Sequence, residues 1–108
     1  MSYKKIIPYI NAENELLDKV TNQAREYYYN GADGLYIYNY SKDEKSREEF
    51  LSLIKAVVKE VDIPVIIGMY AKRLEDVKKA LYTGASSVVI KNAILDDINL
   101  IHEAVQRF

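Results

Sequence analysis

The run Asn30-Gly31-Ala32-Asp33-Gly34-Leu35-Tyr36-Ile37-Tyr38-Asn39-Tyr40 passes from one periodicity to another within a few residues. Upstream of it, Leu16, Leu17, Val20, Ala24, Tyr27 and Tyr28 recur at three- and four-residue intervals, the spacing of a helix buried along one face. Asn30-Gly31 supplies the stop, because a glycine or asparagine just past a helix takes the left-handed conformation cheaply. From Gly34 to Tyr40 the pattern alternates, which predicts a strand whose Tyr36, Tyr38 and Tyr40 share one face.

The same alternation of element types extends in both directions. Lys5–Ile10, Pro64–Met69 and Ser87–Ile90 are short apolar runs rich in β-branched or aromatic residues, and each predicts a strand. A second helix is expected from Ser46, where Glu49 three residues on makes a capping-box pattern, with Phe50, Leu53, Ile54, Val57 and Val58 facing inward. The third should run from Leu74 to Tyr82 and end at Gly84, and a fourth should begin near Asp97. Four strand–helix units on short connections imply a parallel sheet with right-handed crossovers. Pattern alone leaves two closures open, half of an eight-stranded barrel or a flavodoxin-like sandwich. An echo between Asn30-Gly31-Ala32-Asp33-Gly34-Leu35 and Thr83-Gly84-Ala85-Ser86-Ser87-Val88 reads as two helix-to-strand loops with the same glycine cap.

Composition narrows the function classes. The chain has 108 residues, 49% hydrophobic and 29% charged, as expected of a single globular domain spanning 1–108. A net charge of −1 sets up no field that would draw nucleic acid or an anionic membrane, so neither is expected as a partner. There is no cysteine, hence no disulfide and no thiolate ligand or nucleophile, and no apolar run reaches membrane-spanning length. With no signal-peptide core before Pro8 and Asn11, the expected location is cytoplasmic. The lone histidine, His102, cannot build a zinc site, and no metal or cofactor is expected. The pairs Glu13/Glu15, Glu48/Glu49 and Asp96/Asp97 read as helix-start carboxylates favoured by the dipole, and Ser41–Arg47 reads as a solvated loop.

Taken together, Lys5-Ile6-Ile7-Pro8-Tyr9-Ile10-Asn11, Tyr27–Leu35, Ile63-Pro64-Val65-Ile66-Ile67-Gly68 and Glu75–Ala85 resemble the histidine-biosynthesis (βα)8 barrels, in particular the cyclase subunit of imidazole glycerol phosphate synthase. The likeness covers nearly the whole chain and the first four of that family's eight units. It implies a (βα)4 half-barrel of the TIM type, parallel throughout; because such a half leaves two strand edges unpaired and one face uncovered, a homo-oligomer, a dimer first, is expected to complete the barrel. The departures from the family pattern bear on function. A catalytic aspartate ends the family's first strand, and Asn11 stands at that position; an aspartate closing the second strand aligns with Asn39. An amide is neither acid nor base at ordinary pH. The glycine triplet that cradles a substrate phosphate in the family appears as Gly68-Met69-Tyr70-Ala71, and after the fourth strand stand Lys91 and Asn92. Of the ring of charges gating an ammonia path, Lys5 remains, while Gly34 and Ser87 replace the next two, so no ammonia channel is expected.

These features imply a half-barrel with no catalytic residue of its own, acting by self-association or as a domain of a larger histidine-pathway enzyme. Tyr9, Tyr36, Tyr38 and Tyr40 are expected to fill a lumen or an interface. The alternative is a site for a phosphorylated metabolite at Gly68, Lys91 and Asn92, with residual lyase or isomerase chemistry. A response-regulator receiver, the other small α/β class, fails because Asn11 and Met69-Tyr70 stand where it needs carboxylates.

Overall fold

A computed structural model gives the fold and describes residues 4–13 and 15–91. The expected fourth helix, Asn92, Asp96/Asp97 and His102 lie outside the described residues. The order is β1 (Tyr9–Asn11), α1 (Leu17–Tyr29), β2 (Leu35–Asn39), α2 (Glu44–Glu60), β3 (Val65–Tyr70), α3 (Leu74–Leu81) and β4 (Ser87–Lys91). All pairings are parallel and the strands lie in sequence order, β1-β2-β3-β4.

That order decides between the two closures. A flavodoxin-like sheet reverses direction at its first strand and carries helices on both faces. Here the sheet never reverses, so crossovers of one hand bring the helices to one face. Burial agrees. Ile10, Leu35, Ile37, Val65, Ile67, Met69 and Ile90 form one core with Val20, Ala24, Phe50, Leu53, Ile54, Val57, Val77 and Ala80 of the helices. The alternate residues, Tyr9, Tyr36, Tyr38 and Val89 among them, lie on the opposite face, where Tyr9 is 71% and Val89 44% exposed. This is the layering of a barrel wall.

Local chemistry sets the element ends. Gly31 and Gly84 both adopt positive φ, 93° and 96°, so the two echoing loops share one cap conformation. Regular pairing of the first strand is confined to Tyr9–Asn11, shorter than the expected Lys5–Ile10, because Pro8 has no N–H with which to extend the ladder. Upstream, Asp33 anchors the chain instead: its carboxylate accepts the Ile6 N–H at 2.7 Å and its own N–H donates to the Ile6 carbonyl at 2.8 Å.

Two helix starts differ from the sequence reading. Helix α2 begins at Glu44, not Ser46, since Asp43 is the cap and its carboxylate accepts the Ser46 N–H at 2.9 Å. Glu48 and Glu49 therefore sit beyond the first turn, where a dipole argument no longer applies, and Glu48 pairs with Lys79 at 3.3 Å. In α1, Leu16 precedes the first helical residue, and Leu16 and Leu17 are 78% and 48% exposed. The inward stripe falls on Val20, Thr21 and Ala24. The Glu13/Glu15 pair also does other work: Glu13 accepts the Tyr40 N–H at 3.0 Å, and Glu15 pairs with Lys19 at 3.1 Å.

Candidate functional site

The tyrosine face is built by register. Tyr9 lies opposite Tyr36, Asn11 opposite Tyr38, and Tyr38 opposite Gly68. Tyr9 and Tyr36 stack with ring centroids 4.7 Å apart, Tyr36 and Tyr38 are 5.9 Å apart, and Tyr38 stacks on Tyr40 at 5.5 Å. Four rings thus form a continuous ladder, the arrangement expected of Tyr36, Tyr38 and Tyr40 with Tyr9 in the same layer. Tyr40 follows the last residue of β2 but keeps its alternation. The Tyr36 and Tyr40 hydroxyls hydrogen-bond to each other at 2.5 Å.

This pair rests on the bare backbone of Gly68. A Cβ there would meet the Tyr40 hydroxyl in hard overlap and the Tyr36 hydroxyl at 2.6 Å. Gly68 is therefore needed for the close approach of two phenols. Burial, then the hydrogen bond shared with Tyr36 and the neighbouring phenols, push the Tyr40 hydroxyl above its ordinary titration range.

Asn11 and Asn39 take opposite faces. Asn11 is exposed at the end of β1 on the tyrosine face, where its Oδ1 accepts the Glu13 N–H at 2.9 Å. Asn39 is buried on the helix face; its Nδ2 donates to Ser46 Oγ at 3.1 Å and its Oδ1 accepts the Ser41 N–H at 2.9 Å. It ties the β2–α2 loop to the helix start. Neither amide can move a proton in a reaction.

Of the candidate phosphate ligands, Gly68 and Lys91 are brought near each other, but Tyr40 stands between them. Its hydroxyl lies against Gly68, and the Lys91 ammonium lies 4.4 Å from its ring centroid. Lys91 itself is exposed.

One basic residue of the expected solvated loop has a different setting. Arg47 is buried in the first turn of α2, with its guanidinium over the Tyr70 ring and Nη1 donating to the Lys42 carbonyl at 2.9 Å. Lys42 lies over the same ring. A signal was present in the sequence, since position 47 shares a helical stripe with Phe50, Leu51 and Ile54.

A groove lies elsewhere, on the helix side between the starts of α1 and α2, lined by Leu16, Leu17, Phe50 and Leu53 with Glu15 and Glu49. Among the described residues no cluster of His, Cys, Asp or Glu could hold a metal, and no helix is long and apolar enough to cross a membrane.

The family described as histidine biosynthesis protein matches residues 9–108. The chain belongs to that family. The imidazole glycerol phosphate synthase subunit HisF of Oceanobacillus iheyensis is 30% identical over 121 residues, covering 100% of this chain and 47% of that protein. Its namesake from Buchnera aphidicola is 33% identical over 95 residues, covering 88% of this chain and 37% of that protein. The chain spans about half the length of the first of these relatives and somewhat less of the second. Among solved structures, the tryptophan synthase alpha chain of Legionella pneumophila superposes with a TM-score of 0.75 at 17% identity, over 96% of this chain and 48% of that one. Dihydropteroate synthase of Thermus thermophilus gives 0.63 at 24% identity, over 78% and 32%. Such neighbours, TIM-barrel proteins, establish the fold alone, and they agree with a four-unit portion of a barrel wall.

Proposed function

We propose that this chain is a half-barrel module of the histidine-biosynthesis family that performs no cyclase or isomerase chemistry itself and acts by association. The partner is a second copy of the same chain or the remainder of a larger histidine-pathway enzyme. The observation that carries this reading is the tyrosine face. Among the described residues, β1 and β4 each pair on one side only, and the face between them presents Tyr9, Tyr36, Tyr38 and Val89 with no layer upon it. Parallel sheets are ordinarily covered on both faces, and unpaired edges invite another strand. Two copies related by a two-fold axis, β1 of each beside β4 of the other, satisfy both edges at once and enclose the tyrosines in an eight-stranded barrel. The amides at Asn11 and Asn39 support the absence of acid/base chemistry.

The test is to place charge inside the enclosed face. Tyr36→Asp and Tyr38→Asp should dissociate or unfold the oligomer in size-exclusion chromatography with light scattering, and Lys91→Ala should leave it intact. Wild-type oligomers that persist in both aspartate variants would overturn the reading. A second reading, a phosphorylated-metabolite site at Gly68, Lys91 and Asn92 with residual lyase or isomerase activity, is favoured by the exposed ammonium of Lys91 at the strand end. Against it stands the Tyr40 hydroxyl, which occupies the space over Gly68.

A further inference from the structure

Arg47 and Asp76 are the buried charged residues among those described. Asp76 is compensated, since its Oδ2 accepts the N–H groups of Lys72 and Arg73 at 3.0 and 3.2 Å. Arg47 is not. It is 5% exposed, and of the five N–H donors a guanidinium carries, one makes a hydrogen bond among the described residues, from Nη1 to the Lys42 carbonyl at 2.9 Å. Among the described residues no carboxylate lies within the 4.0 Å of an ion pair with Arg47 or with Lys42. The Asp43 carboxylate, close in sequence, caps α2 instead, its Oδ2 accepting the Ser46 N–H at 2.9 Å.

Both cations converge on one ring. The Arg47 guanidinium carbon lies 5.9 Å and the Lys42 ammonium 5.7 Å from the Tyr70 centroid. An aromatic ring offsets part of the cost of removing a cation from water, but two like charges gathered at one ring repel each other. The remaining nitrogens of Arg47 are not sealed into the core, because none is among the buried polar atoms without a partner. A largely desolvated guanidinium with unused donors and a second cation on the same ring, neither ion-paired with a carboxylate among the described residues, make a corner suited to an anion.

We propose that the β2–α2 corner binds a small oxyanion, held by the paired N–H groups of Arg47 and by the Lys42 ammonium beside Tyr70. The shared chemistry is two oxygens spaced to meet a guanidinium fork, as in a sulfate, a phosphate or a carboxylate. The site is separate from Gly68, Lys91 and Asn92, and it does not depend on self-association.

The experiment is a titration of the full chain with sodium sulfate, sodium phosphate and sodium malonate, each against sodium chloride of matched ionic strength. The readout is the Arg47 Nε–Hε resonance in a nitrogen–proton correlation spectrum. A saturable shift in the millimolar range is expected with at least one oxyanion and not with chloride. Preference for sulfate and phosphate would identify a tetrahedral ligand, and preference for malonate a carboxylate. Lys42→Ala, at an exposed position, should weaken binding about tenfold, and Arg47→Lys, which keeps the charge without the fork, by at least as much. Lys91→Ala should leave the affinity unchanged. The proposal is overturned by no saturable shift up to about 50 mM of any oxyanion, by equal affinity in wild type and Lys42→Ala, or by loss of binding in Lys91→Ala.

Discussion

Replacing Gly68 by alanine tests the tyrosine ladder at its tightest point. The new methyl would overlap the Tyr40 hydroxyl, meet the Tyr36 hydroxyl at 2.6 Å and the Tyr40 Cζ at 2.9 Å. Ordinary contact needs about 3.5 Å or more, so both phenols must move by roughly an ångström, which breaks their mutual hydrogen bond. Loss of that bond costs about 1 kcal/mol and overpacking about 1–3 kcal/mol, with the lower end fitting side chains free to swing toward the open face. Against this, alanine restricts the unfolded chain and returns about 0.4–1 kcal/mol. The net expectation is destabilisation by about 1–2 kcal/mol, a fall in midpoint temperature of several degrees for a domain of this size. Urea denaturation at fixed protomer concentration measures it, since association would otherwise shift the midpoint. In a Tyr36→Phe/Tyr40→Phe background the same substitution should lose at least half its cost, as the hydroxyls it collides with are gone. A Gly68→Ala chain as stable as wild type, or a cost unchanged in the double-phenylalanine background, would refute the packing described for the ladder.

Alkaline stability should carry the signature of Tyr40. Because its folded-state pKa lies above the unfolded value, its contribution is fully present below about pH 10 and declines as pH rises beyond that. Tyr40→Phe should flatten this decline in pH-dependent melting curves, and an unchanged profile would contradict the assignment. Asp43→Ala should cost about 1 kcal/mol in chemical denaturation through loss of the α2 cap, whereas a neutral result would mean the helix start is held otherwise. Neither the 108-residue chain nor its Asn11→Asp variant should show cyclisation or aminoaldose isomerisation above a mock-purified blank, given that a missing general acid or base typically costs ~10²- to 10⁴-fold. Turnover by the wild-type chain would overturn the non-catalytic reading.

Much of this architecture is legible in the residues. The shift from helical to alternating spacing around Asn30-Gly31 places α1 and β2 correctly, and the alternation of Tyr36, Tyr38 and Tyr40 foretells a shared face. Periodicity could not choose between a barrel wall and a sandwich, because strand order is a long-range property; the unreversed order β1-β2-β3-β4 decides it. The α2 cap differs from the sequence reading because two candidates compete within a few residues. Ser46 and Asp43 both suit an N-cap, and Asp43 takes it because its own backbone is extended there, leaving its carboxylate free to accept the Ser46 N–H. Arg47 was hidden by its company, since a run of charged residues reads as solvated although this one lies on the apolar stripe of α2. The phenol pair over Gly68 depends on register between β2 and β3, which no local pattern specifies.

Sedimentation velocity of the unmodified chain at micromolar concentration tests the central claim most directly. The account predicts a species of twice the chain mass whose cooperative thermal transition moves to higher temperature as concentration rises, because edge pairing and enclosure of Tyr9, Tyr36 and Tyr38 require a second copy. A monomer at that concentration with a cooperative transition independent of concentration would contradict it, for it would mean that four parallel strands with an open tyrosine face are stable alone.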